Sequence, residues 1–188
     1  MLFLKHLKQN LQEFTRLPVI IDPANVYKLQ EIRIKPQKFK IGKQEYKKKV
    51  YDQDGNEIKG KTAVYYIASL PVLVELNIRG ANNEDSLLLS AMKYSTLLQH
   101  FFKITDKLPE INENIENFSV KGQGVIKPVN IEGNLEPVLF TDNEDIEDAK
   151  KFPGFQDRFE IELVFMVEQI LDVSTVQNIT SAGVSYAV

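Results

Sequence analysis

The stretch Pro71-Val72-Leu73-Val74-Glu75-Leu76-Asn77-Ile78-Arg79-Gly80-Ala81-Asn82-Asn83-Glu84-Asp85, with the residues that follow it to Lys103, decides the fold. Val72, Val74, Leu76 and Ile78 recur at every second position, the period at which side chains of an extended strand share one face. After Gly80-Ala81-Asn82-Asn83 the period changes. Leu88, Ala91, Met92, Ser95, Leu98 and Phe102 fall on one face of a helix, flanked by Leu87, Tyr94 and Phe101. Ser90, Lys93, Thr96, Gln99 and Lys103 make a polar stripe. Asn83 stands where an N-cap is expected, with Glu84 and Asp85 at the positive end of the helix dipole. A strand that feeds such a helix predicts a helix packed across a sheet, where burying each large side chain contributes about 1.5–3 kcal/mol.

Upstream, Leu4, Leu7, Leu11 and Phe14 predict a first amphipathic helix ended by Pro18. Val19-Ile20-Ile21 reads as a short strand closed by Asp22-Pro23, and Tyr27 to Ile34 as a second, with Pro36 marking a ladder break or an edge. Phe39 to Tyr51 and Ile58 to Ile67 read as an extended hairpin around Asp52-Gln53-Asp54-Gly55-Asn56, since glycine tolerates the positive φ of tight hairpin turns.

Downstream, Gly122, Gly124, Pro128, Gly133, Pro137, Pro153 and Gly154 punctuate a region with short strand candidates at Phe118–Val120, Val125–Ile131 and Pro137–Phe140. Phe159, Ile161, Leu163, Phe165 and Val167 then alternate with Glu160, Glu162, Val164, Met166 and Glu168, the pattern of a strand, expected at a half-exposed edge. The expected architecture is α+β: a mixed, mainly antiparallel sheet with two helices packed on one face. It is expected as a single domain, with a protruding β-hairpin arm at about 36–67, a loop-rich excursion at about 107–157 and an extended C-terminal tail at about 172–188.

With 43% apolar and 26% charged residues and a formal charge of -3, the 188-residue chain has the composition of a soluble globular protein. The distribution of charge says more than the total. Basic residues gather between Arg33 and Lys61, whereas Glu132, Glu136, Asp142, Glu144, Asp145, Glu147 and Asp148 follow one another with no intervening cation. Cysteine is absent, which excludes disulfides, thiolate metal sites and cysteine nucleophiles. Lys5, His6 and Lys8 interrupt the apolar start, so no secretory signal is expected. No run reaches the length of a membrane span, and synthesis in the cytoplasm is the expectation.

Gly55-Asn56-Glu57-Ile58-Lys59-Gly60-Lys61-Thr62 fits the pattern of a phosphate-binding loop, but that loop needs a buried strand before it and a helix after it. Here a lysine run precedes and β-type residues follow, so a lysine-rich hairpin is the better reading. Asp52, Asp54 and Asn56 have the spacing that opens a calcium loop, yet Glu57 and Ala63 stand where glycine and the bidentate glutamate are needed. The acidic run reads as a solvated loop or contact surface rather than a cation site. His6 and His100 have no Ser or Asp partner in the pattern, so no catalytic residue, cofactor or metal ligand is assigned.

In its order of elements the chain resembles the tail-terminator (tail-completion) proteins of long-tailed bacteriophages and the cap proteins of related contractile injection systems. The likeness is carried by Leu4–Phe14, Val72–Ile78, Glu84–Lys103 and Arg158–Glu168. It implies a non-enzymatic structural protein of the virion neck. Such a protein forms a ring, usually sixfold, that docks on the last ring of the tail-tube protein, stops tube growth and offers a surface to the head-completion or connector protein. Phage DNA passing through the lumen is a further contact; a membrane is not. The charge asymmetry suggests a lateral interface in which Lys47, Lys48 and Lys49 of one subunit meet Glu144, Asp145, Glu147 and Asp148 of the next. The alternatives are a tail-tube or other neck or baseplate component and, further off, a nucleotide-binding enzyme using Gly55–Thr62.

Overall fold

A computed structural model of the chain describes residues 1–22, 29–80, 84–115, 118–141 and 151–172. They form helix α1 (Leu2–Thr15), strands β1 (Val19–Ile21), β2 (Gln30–Pro36), β3 (Lys40–Tyr51) and β4 (Glu57–Arg79), helix α2 (Glu84–Ile104), and strands β5 (Lys107–Ile115), β6 (Phe118–Asn130), β7 (Glu136–Thr141) and β8 (Lys151–Asp172). The strands make one sheet in the order β1-β2-β4-β8-β6-β5, with β3 paired to β4 and β7 to β8. β1 and β2 are parallel; the other pairs are antiparallel. The fold is α+β, as the alternation of strand and helix periods predicts.

Two long strands are the spine. β4 and β8 stay in register from Lys61↔Asp172 to Arg79↔Gly154, which at the rise of a strand is about 60 Å of continuous ladder. Each spine strand changes its outer neighbour part-way along. β4 pairs with β3 as far as Ser69 and with β2 from Val72, while β8 pairs with β7 up to Gln156 and with β6 from Glu160. The hairpin return and the Val72–Arg79 strand are therefore one element, and Pro71 lies inside it. Its carbonyl accepts from Gln37 at 2.9 Å. In an extended strand N–H and C=O of a residue point the same way, so the missing donor faces the crossover between β2 and β3 and no β8 bond is lost.

Val64, Tyr66, Ala68, Leu70, Val72, Val74, Leu76 and Ile78 of β4 share one face, joined across the ladder by Phe159, Ile161, Leu163, Phe165 and Val167. Apart from half-buried Tyr66, all are buried. Both helices lie on this side. α1 packs against β1 and β5, the two ends of the strand path, and so bridges a curled sheet. Phe3 stacks on Phe165 with ring centroids 4.5 Å apart, and Phe102 meets Phe159 at 6.0 Å. α1 stops where Arg16 turns left-handed at φ 63 and returns its N–H to the Gln12 carbonyl, two residues before Pro18.

Four expectations need correction. α2 is turned by about one residue from its predicted orientation: Leu87, Ala91, Ser95, Leu98, Phe101 and Phe102 are buried, whereas Met92 is 53% and Leu88 36% exposed. The helix has more apolar positions than one face holds, and the bulky pair Phe101–Phe102 decides which arc faces the sheet. β8 is central rather than an edge, because β6 and β7 cover its second side. Much of the 107–157 excursion is strand, in β5, β6, β7 and the start of β8. Its glycines do not end β6; they bend it, with Gly122 at φ 103 and a register shift between Val120 and Val125. The second strand begins at Gln30 and runs through Pro36. Residues 23–28, the expected cap Asn83 and the tail 173–188 lie outside the described residues.

Candidate functional site

β3 is the element that most needs explaining. Of its twelve residues none is buried and only Val50 is half-buried, so it adds little to the core. Its turn is built locally. Asp52 Oδ1 accepts from the backbone N–H groups of Asp54 and Asn56 at 3.0 and 2.8 Å, and Gly55 supplies φ 84. The Asn56 N–H leads the interactions that hold the Asp52 carboxyl below the usual carboxylate range. These oxygens face the turn's own donors, which is the opposite of a calcium loop. Glu57 through Thr62 are the opening of β4 with more strand behind them, so no helix N-terminus faces the Gly55–Thr62 segment and no phosphate cradle forms there.

Lys47, Lys48 and Lys49 pair with Val64, Ala63 and Thr62 and are exposed. Lys49 reaches Glu57 of the same hairpin at 2.7 Å, and that hydrogen bond and charge raise its pKa. Lys48 stands over the rings of Tyr46 and Tyr65, 5.3 and 5.7 Å from their centroids. The rings themselves stack at 4.4 Å, a cross-strand pair that stiffens the arm. Tyr65 donates to Glu168 at 2.8 Å, and Lys121 completes the contact from β6 at 2.5 Å. Burial, then the Glu168 carboxylate, pushes the Tyr65 phenol up to about 12. At Glu168 burial works upward, but the hydrogen bonds from Lys121 and Tyr65 outweigh it and hold the carboxyl low. The arm is thus anchored on the spine rather than hanging free. Glu144, Asp145, Glu147 and Asp148, the acidic half of the expected interface, lie outside the described residues.

The sheet face turned away from the helices carries a second feature, a network of charged side chains between β2, β4 and β8. Arg33 bridges Glu31 at 2.6 Å and Asp22 at 2.9 Å; Lys35 and Arg158 approach Glu75 at 2.7 and 3.6 Å; Gln156 donates to Asn77 at 2.9 Å. Glu31, Arg33, Glu75, Asn77 and Arg79 are all buried. Buried charges survive only when paired: Arg33 and Arg158 stand on the rungs either side of Glu75, and Arg33 meets Glu31 along β2, so opposite charges link the three strands. The signal was present in the sequence as charged residues alternating with Ile32 and Ile34 and with Val74, Leu76 and Ile78, on strands that had not yet been set side by side.

Among the described residues no group of three His, Cys, Asp or Glu side chains converges as a metal site, and no helix is long and apolar enough to cross a membrane. His6 is half-buried on α1, and the exposed His100 lies 6.2 Å from the Phe14 ring. Comparisons with protein-family profiles and with curated proteins find no match.

Proposed function

We propose that this protein is a structural assembly protein of a phage-type tail, acting as a terminator or cap that closes into a ring on the end of the tail tube and presents a surface to the head connector. The observation that carries the reading is the arm. A twelve-residue strand with no buried residue contributes little to its own core, and a lysine-bearing edge strand braced by stacked tyrosines is suited to contacts outside the subunit. The element order, with two helices on one face of the sheet, supports the same reading. Within it, Lys47 and Lys48, which have no ion-pair partner among the described residues, meet an acidic neighbour such as the run Glu144–Asp148 of the next subunit. A tail-tube or other neck component is the second reading, favoured by the length of the β4–β8 ladder, and it differs in stacking into long polymers.

Light scattering tests the lateral pairing. Exposed charge pairs are individually weak and screened by salt, so ring mass is expected to fall in high salt and in a Lys47→Glu/Lys48→Glu/Lys49→Glu variant. An oligomer whose mass responds to neither removes the charge pairing from the account.

A further inference from the structure

An open edge strand offers a row of unpaired N–H and C=O groups to any second strand. Among the described residues most edges of this sheet are short or covered. β1 has three residues and α1 packs against it, α1 also packs against β5, and β7 has six residues with Pro137 among them. β3 is the exception: it runs for twelve residues, pairs with β4 on one side, and has no strand on the other among the described residues. Ile41, Tyr46 and Tyr51 are exposed along it, so without its lysines it would have the composition of a strand that other chains join.

Two features oppose such joining. Lys40, Lys43, Lys47, Lys48 and Lys49 stand against a single Glu45. The ladder places them on both faces, since Lys40 and Lys48 pair with Ser69 and Ala63, and Lys47 and Lys49 with Val64 and Thr62. Any added strand would therefore set side chains beside a lysine on either face, and a second copy of β3 would bring five lysines against five. Lys49 has Glu57 as its carboxylate partner, whereas Lys43, Lys47 and Lys48 have no ion-pair partner among the described residues. The register with β4 also shifts three times, between Ile41 and Gln44, Gln44 and Tyr46, and Lys49 and Tyr51, so the edge is irregular. At the first shift Gly42 lets the backbones come close: a Cβ there would stand 2.8 Å from the Ile67 carbonyl oxygen.

We propose that the lysines of β3 are gatekeepers that hold the arm's backbone edge closed to a second copy of this chain. Contacts at the arm are then made by side chains, and the sheet does not extend from one subunit into the next. This goes beyond the ring reading and does not depend on it, because an unguarded edge joins copies into open-ended sheets whether or not the subunits also close into a ring.

The test removes the guard from the full chain. Lys43→Thr/Lys47→Thr/Lys48→Thr puts a good strand former at three exposed positions, and Lys43→Arg/Lys47→Arg/Lys48→Arg keeps the charge. Light scattering and thioflavin fluorescence followed over time are expected to show the threonine variant growing into sheet-bearing polymers roughly tenfold faster than wild type or more, and the arginine variant growing no faster than wild type. Amide hydrogen exchange locates the growth, with the β3 amides gaining protection in the polymer. Circular dichroism checks that each variant is folded beforehand; should the threonine triple not be, Lys43→Thr/Lys47→Thr takes its place. A threonine variant that grows no faster than wild type, an arginine variant that grows as fast as the threonine one, or a polymer whose β3 amides still exchange freely overturns the guard. Ring mass that falls in the threonine variant without polymer growth overturns it too, while upholding the lateral charge pairing. Polymer growth by the threonine variant of a protein that forms no rings upholds the guard and removes the ring.

Discussion

Replacing Asp157 tests how the helix layer is fastened to the sheet. Its carboxylate is 1% exposed on the core side of β8, yet it is fully engaged: Oδ2 accepts from the Ser95 hydroxyl of α2 at 2.5 Å, and Oδ1 from the backbone N–H groups of Asn134 and Arg158 at 2.6 and 2.8 Å. One side chain thus ties α2, the turn before β7 and the spine together. Hydrogen bonds to a charged group contribute about 1.5–3 kcal/mol each, so Ser95→Ala is expected to cost about that much. Asp157→Ala strands a buried hydroxyl and an N–H as well, for a cost of about 3–5 kcal/mol. In a domain of this size that lowers Tm by roughly 6–20 °C. Urea denaturation of wild type, both single variants and the double variant closes a cycle. The expected coupling between the two sites is about 1–2 kcal/mol, because the second change has less left to break. A coupling within about 0.3 kcal/mol of zero would refute the clasp.

Two other expectations concern the core and the arm. Phe159→Ala, which empties a fully buried site against Phe102, is expected to lower unfolding stability by about 3–5 kcal/mol in the same denaturation assay; a loss under 1 kcal/mol would mean that α2 does not rest there. Tyr65 is neutral in the folded state up to about 12 against an ordinary 10.0, so the stability linked to it is intact below pH 10.0 and is lost as pH rises towards 12. Alkaline titration of tyrosinate absorbance should show one late-ionising phenol that disappears in Tyr65→Phe. For Glu168, held below its ordinary value, the sign is reversed: its contribution is complete above the unfolded carboxylate pKa and is lost as pH falls through the folded one. Lys121→Ala should move that acid limb upward, and an unchanged limb would dismiss the Lys121 contact.

The fold was legible where side chains alternate against a single partner layer. Val72 to Ile78 and Phe159 to Val167 announce their faces by period alone, and the spine they form pairs those same faces. What periodicity does not carry is adjacency. Nothing in Glu160, Glu162 or Met166 says that β6 closes the far side of β8, so a central strand looks like an edge. Nor does it carry a choice among excess apolar positions: Met92 and Leu88 fit the helical stripe as well as Leu87 and Phe101 do, and only packing against the sheet separates them. Gly122 reads as loop punctuation although it sits at a bulge in β6, whereas the short strand expected at Pro137–Phe140 is present as β7. Of the expected interface, Lys47–Lys49 lie on the exposed arm as their pattern implies, while Asp157 with Ser95 and the Glu31–Arg33–Glu75 network join residues too distant in sequence for any motif to link.

Negative-stain microscopy of the purified protein tests the assembly account most directly. The account expects closed rings of uniform diameter, one subunit layer thick, that do not stack as concentration rises. Long tubes would give the chain to the polymerising tail components instead, and a field of monomers at every concentration would contradict ring assembly altogether.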